Sequence, residues 1–176
     1  MDPQERQRAI AALRYLCVGA QIVGLRFAPT IHLLLDDVGI AAQPSRRSSL
    51  DGEASLRLES RWSVFPSMAA VFPHEVSDLG PPSVEEQLRL LCALRERVIT
   101  ALELGRTEPH MILTLDTGEV LFVNGHDERY ECWELHAFTT DSADPWLIVA
   151  GPGNRVDLSA PKGSTFDRAP AKRRSA

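Results

Sequence analysis

The sequence predicts an α+β fold, two helices with two antiparallel β-meanders, of about six to nine strands in all. Three observations carry that prediction. Two amphipathic segments open with capping residues, one over 3–17 and one from Ser83. Short apolar or alternating runs follow each of them, bounded by Gly, Pro and Asp as strands are. The two helix-then-strand series also resemble one another, so they read as halves of one domain.

In the first helix Asp2 is the cap and Pro3 suits the first turn. Ile10, Leu13, Leu16 and Cys17 recur at spacings of three and four. Gly19 ends it. Gln21 to Phe27 alternates through Ile22, Val23, Leu25 and Phe27. Ala28-Pro29 marks a turn, and Ile31 to Leu35 reads as a strand stopping at Asp36-Asp37. Gln43 to Ser49 is a polar loop, and strand character returns at Ala54 to Glu59 and near Trp62 to Phe65. Pro66, Pro73, Gly80, Pro81 and Pro82 make 66–82 a Pro/Gly-rich connection.

Ser83 caps the second helix, and Glu86, three residues on, completes a capping box. Its apolar stripe is Leu88, Leu91, Cys92 and Leu94. Strands are expected over Val98 to Leu104, His110 to Leu115 and Val120 to Val123. Asp116-Thr117-Gly118-Glu119 is a tight hairpin in which Gly118 supplies a positive φ. Cys132 to Ala137, Trp146 to Ala150 and Arg155 to Leu158 are further strands, with Gly151-Pro152-Gly153-Asn154 as the last turn. The folded domain is then 1–160, in halves of about 1–65 and 83–158, and 161–176 is a basic disordered tail.

Ile22 to Phe27 followed by Ile31 to Asp36 parallels Ile99 to Leu104 followed by Met111 to Asp116, and Gly52-Glu53 echoes Gly118-Glu119. An internal duplication explains the likeness; two unrelated amphipathic meanders would look similar. One half alone exposes an apolar sheet face that two halves together can bury.

Of the 176 residues, 44% are hydrophobic and 24% charged, which excludes wholesale disorder, and no apolar run is long enough for a membrane helix. The N-terminus reads as no signal peptide. Three widely spaced cysteines, Cys17, Cys92 and Cys132, make no disulfide framework. Cys17 and Cys92 sit in apolar settings where a thiol acts as a small hydrophobe, and a reducing, cytoplasmic compartment fits. The formal charge of −5 is unevenly placed: Lys162 to Ala176 carries a net +4, which leaves −9 for the body. Between Glu75 and Asp144, fifteen acids face five arginines. Such a field repels nucleic acid and anionic membranes and speeds association with a basic protein.

The densest polar cluster is Asn124 to Glu134, with a histidine, a cysteine and four carboxylates, Asp127, Glu128, Glu131 and Glu134. A nucleophile, an acid/base pair or a metal site is conceivable there. Spacing argues against each, since His126 and Cys132 would meet only by accident of packing. None of His32, His74, His110, His126 and His136 forms an HxxxH, HxH or HExxH pattern. Strand alternation would put Tyr130, Cys132 and Glu134 on one face, with Glu131, Trp133 and Leu135 on the other. Trp133 is then a core anchor, and His32 and His110 are solvent-facing or satisfied by hydrogen bonds. Gly151-Pro152-Gly153-Asn154 lacks the helix and lysine of a phosphate loop, and no GxSxG occurs. No catalytic, cofactor-binding or metal residue is assigned, and the motifs weigh against an enzyme.

The run Leu113 to Val123, then Tyr130-Glu131-Cys132-Trp133-Glu134-Leu135, then Trp146 to Gly153, resembles poorly characterised small β-rich bacterial proteins. Some of these are similar to immunity proteins encoded beside contact-dependent toxins. The resemblance covers mainly 98–158, more faintly 18–65, and its motifs are structural. It implies binding to a partner protein rather than catalysis.

The expected function is therefore a protein-binding module, an immunity-type neutraliser of a basic partner. Asp127, Glu128, Glu131 and Glu134 would block a positively charged cleft. Two alternatives stand beside it. One is a small-ligand-binding or enzymatic domain with a pocket between the meanders, lined by Tyr130, Trp133, Trp146 and His126. The other is a structural subunit of a larger bacterial assembly.

Overall fold

The computed structural model describes residues 2–27, 29–36, 54–69, 72, 83–137, 144–162 and 164. The expected polar loop at 43–49, Gly52-Glu53, most of the 66–82 connection and the chain beyond 164 lie outside the described residues.

Helix α1 (Pro3–Cys17) is capped as its sequence dictates: Asp2 Oδ1 accepts from the backbone N–H groups of Gln4 (2.8 Å) and Glu5 (3.0 Å). These satisfy two of the four N–H groups that every helix start leaves without a partner. Strands β1 (Gln21–Phe27), β2 (Ile31–Asp36) and β3 (Ala54–Leu58) follow, then β4 (Trp62–Phe65). Helix α2 (Val84–Ala93) starts at Ser83, whose Oγ accepts from Glu86 N–H at 3.2 Å. The second series comprises β5 (Ile99–Leu104), β6 (Met111–Leu115), β7 (Val120–Val123), β8 (Trp133–Ala137), β9 (Trp146–Gly151) and β10 (Arg155–Ser159). All ten candidate segments form strands, so the expectation of about six to nine was too low.

Both sheets are antiparallel, which bears out the α+β class with its two meanders, β1–β2–β3 and β5–β6–β7. The meanders do not remain separate units, because each half sends its fourth strand to the other. Strand β4 pairs with β7, and β8 pairs with β3. The result is a six-stranded sheet, β1-β2-β3-β8-β9-β10, and a four-stranded sheet, β4-β7-β6-β5.

The parallel between the halves extends to an irregularity. A register shift lies between Ile22 and Gly24 in β1, and its counterpart lies between Ile99 and Ala101 in β5. Ile22 faces Leu35 and Ile99 faces Leu115, the equivalent positions. The two first strands also meet. Gly19 N–H donates to Ile99 O (2.7 Å) and Ile99 N–H to Ala20 O (2.9 Å), while Ile22 N–H reaches Arg97 O (2.9 Å) and Glu96 N–H reaches Ile22 O (2.7 Å). Gly19 and Glu96 both take positive φ just before these strands.

Turn chemistry holds where the sequence pointed to it. Gly118 has φ +87° in the β6–β7 hairpin, and Gly153 and Asn154 are both left-handed in the β9–β10 turn. Both helices and both sheets contribute to one apolar cluster among the described residues. It takes in Leu13, Leu16 and Cys17 from α1, Leu91 and Leu94 at α2, and Trp133, Leu135, Trp146 and Ile148 from the larger sheet. Trp133 is fully buried and donates its indole N–H to Pro109 O at 2.8 Å, which supports the core-anchor reading. His32 and His110 are both buried and hydrogen-bonded rather than solvent-facing.

Two expectations fail. Cys92 is exposed and Leu88 is 43% exposed, so the α2 stripe reaches the core only at Leu91 and, past the helix, Leu94. Strand alternation also does not run back through Cys132, which is as buried as Trp133 next to it. Cys132 lies outside β8 and its carbonyl accepts from both Glu59 and Ser60 N–H, at 3.0 and 2.9 Å. That irregularity turns Glu131 to the side of the sheet that carries Glu134. Among the described residues, no helix is long and apolar enough to cross a membrane.

Candidate functional site

The two strand exchanges create a corner where the chain passes from one sheet to the other. Residues Glu59 to Arg61 make the passage from β3 to β4, and 124–132 make it from β7 to β8. A groove of about 670 Å³ opens at this corner. Pro29, Ile31, Leu58 and Trp62 supply its apolar lining, and Gln87 of α2 also lines it. Glu59, Arg61, Asp127, Tyr130 and Glu131 line it as well, so three carboxylates share the wall with one guanidinium.

The loop over 124–131 is held at several points. Asn124 N–H donates to Arg61 O (2.9 Å), and Asn124 Nδ2 donates to His126 O (2.8 Å). Ser60 Oγ donates to Asn124 O. Gly125 N–H donates to His110 Nδ1 at 2.9 Å. A Cβ on Gly125 would stand 2.0 Å from Pro109 O, so only glycine allows this approach. Because His110 Nδ1 accepts, its proton sits on Nε2, which lies 2.7 Å from Glu108 Oε2.

Asp127 Oδ1 accepts from Arg129 N–H (2.7 Å) and Tyr130 N–H (2.9 Å), and these two bonds hold its carboxyl below the ordinary range. Gly153 N–H ties Asp127 O to the β9–β10 turn. His126 is drawn to the same turn, with Nδ1 2.7 Å from Asn154 Oδ1. The Asn154 bond raises the His126 pKa; partial burial opposes that shift, and Glu108, Glu128 and Asp127 reinforce it.

The four carboxylates expected to bind a partner separate into two environments. Asp127 and Glu131 line the groove, and Glu128, 79% exposed, stands beside them. Glu134 belongs elsewhere: it lies directly across from Arg57 in the β3–β8 ladder and pairs with it at 2.9 Å. Arg57 also meets Glu59 (2.5 Å) and Glu131 (3.2 Å), so one guanidinium gathers three carboxylates. The cluster as a whole stays acidic, since one guanidinium meets three carboxylates. Tyr130, 71% exposed, stands at the groove, whereas Trp133 and Trp146 fill the core and His126 faces Asn154.

Glu59, Arg61, Trp62 and Gln87 were not foreseen as site residues, and neither was Arg57. Arg57 and Glu131 are 74 residues apart, and no local spacing signals that they meet.

Cys132 does not form a thiolate site. Burial is the main cause that pushes its thiol up to about 11, so it stays protonated at neutral pH, and His126 turns to Asn154 instead. Cys17, fully buried in α1, is pushed up to about 12. Among the described residues no group of three or more His, Cys, Asp or Glu side chains could hold a metal ion. The chain matches no protein-family model, and neither the curated proteins nor the solved structures show a significant match to it.

Proposed function

We propose that this chain is a protein-binding module, a cytoplasmic immunity-type protein that neutralises a basic partner by steric and electrostatic blockade. The observation that carries the reading is the rim of the corner groove. There Asp127, Glu128 and Glu131 sit beside the exposed Tyr130 on a loop pinned at both ends. An acidic rim accelerates encounter with a basic surface, and a preorganised loop with an aromatic side chain supplies a site for buried contact. Glu134 contributes only by holding Arg57, which in turn positions Glu131.

The test is affinity purification from the native cell with the wild-type chain and with the Asp127→Lys, Glu128→Lys double variant, followed by mass spectrometry. A basic protein recovered by the wild type and lost by the variant is the expected result. An identical set of basic proteins from both would overturn the rim assignment. The groove volume, within the range of roughly 300–1,000 Å³ typical of ligand pockets, favours a small-molecule site as the second reading. Resonance shifts confined to Trp62 and Tyr130 on adding a metabolite mixture would select it.

A further inference from the structure

We propose that the groove receives an amphipathic segment of the partner, with apolar anchors packed against α2 and lysine or arginine facing the 124–131 loop. This rests on the acidic-rim reading and adds a second, apolar half to it. Positions 84, 87, 88 and 91 of α2 share one helical face, being three and four residues apart. Leu91 at the end of that face is buried in the core, and Gln87 lines the groove. Val84 and Leu88, which share the face of Leu91 and stand outside the groove lining, are 73% and 43% exposed. The face that anchors α2 therefore runs on past the core as exposed apolar surface, on the helix whose Gln87 lines the groove, and Ile31, Leu58 and Trp62 add apolar lining to the groove itself.

Charge complementarity specifies the occupant. Glu59, Asp127 and Glu131 line the groove against Arg61, and Arg57 pairs with Glu59 and Glu131, so three carboxylates against two guanidiniums leave the wall acidic. An all-polar basic segment would leave Val84 and Leu88 in water. An apolar segment without cations would bury the charge of Asp127, which Arg57 does not reach, at a cost of several kcal/mol. A segment with apolar residues on one face and cations on the other meets both halves, the arrangement by which amphipathic helices dock into grooves. The volume of about 670 Å³ admits a few anchoring side chains rather than a whole element.

Three synthetic peptides of one length test this with the intact chain. One alternates leucine and lysine at helical spacing, the second replaces leucine by serine, and the third replaces lysine by glutamate. The leucine–lysine peptide is expected to bind and to shift the Trp62 and Tyr130 resonances. Its affinity should fall about tenfold in the Val84→Ser, Leu88→Ser double variant, the size expected for loss of an interface anchor. Met68→Ser, at an exposed apolar residue outside both α2 and the groove lining, should leave it unchanged. Circular dichroism checks that each variant is folded.

Equal binding of the serine–lysine peptide, or no effect of the double variant, would overturn this inference and leave the acidic rim standing. Equal binding of the leucine–glutamate peptide would overturn both readings. No binding by the leucine–lysine peptide would overturn the inference.

Discussion

Helices α1 and α2 occupy corresponding places, each leading into a three-stranded meander, yet they are anchored in different ways. Helix α1 buries Ala9, Ala12, Leu13, Leu16 and Cys17, whereas α2 buries only Leu91. Helix α1 also closes a sheet edge. Arg14 Nε donates to Leu102 O (2.8 Å), Arg6 Nη2 to Leu104 O (2.5 Å) and Arg6 Nε to Gly105 O (2.8 Å). Strand β5 is the last of the four-stranded sheet, so these arginines satisfy carbonyls that a neighbouring strand would otherwise take. The difference teaches that similar halves have divided the work. One helix is committed to the core, and the other keeps Val84 and Leu88 exposed.

The largest effect that would break this contrast is in the core. Leu13→Ala should cost about 3 kcal/mol by urea denaturation, a fully buried leucine leaving a cavity. Leu88→Ala should cost less than about 0.5 kcal/mol, the range of exposed substitutions. Equal losses would show that α2 is as deeply anchored as α1.

Next in size is the edge. Arg14→Ala should cost about 1–2 kcal/mol, because it leaves the part-buried Leu102 carbonyl without its donor. Size-exclusion chromatography should also reveal self-association through the uncovered β5 edge. A monomer of unchanged stability would remove the arginines from the argument.

The cysteines sharpen the contrast without altering stability. Cys92 of α2 is exposed and should react with a thiol reagent in the native protein. Cys17 and Cys132, both buried with raised pKa values, should react only after unfolding. Rapid labelling of Cys17 would mean that α1 opens readily.

The smallest expected effects are in two histidines with opposite signs. The His126 pKa is raised, chiefly by its bond to Asn154, so its contribution to stability is complete below the ordinary value of 6.5. That contribution is lost as the pH rises through the higher folded value. The His32 pKa is lowered, first by burial and then by Arg26 and Arg57, so its contribution is present above 6.5 and lost as the pH falls. NMR titration should place the two on either side of 6.5, and Asn154→Ala should bring His126 back toward it. Identical midpoints would contradict both environments.

Local chemistry determined much of this protein. Asp2 with Pro3 and Ser83 with Glu86 mark the helix starts, because a capping side chain needs only the next few N–H groups. The hairpin at Gly118 was legible for the same reason, since a positive φ selects glycine within one turn. The likeness between Ile22–Phe27 and Ile99–Leu104 was legible too, and the shared bulge lies within it.

The acidic run 127–134 was legible as a cluster, but not its division, with Asp127 and Glu131 lining the groove and Glu134 outside it, since alternation cannot report the irregularity at Cys132. Cys92 and Leu88 fit a helical stripe, yet periodicity says which residues share a face and not how far the core extends along it. Only the tertiary structure decided that β4 joins β7 and β8 joins β3. Strand edges present the same backbone donors and acceptors to every candidate neighbour, so pairing across many residues depends on the packed whole. The groove, its mixed apolar and acidic lining and the Arg57 cluster follow from that exchange, and no stretch of sequence contains them.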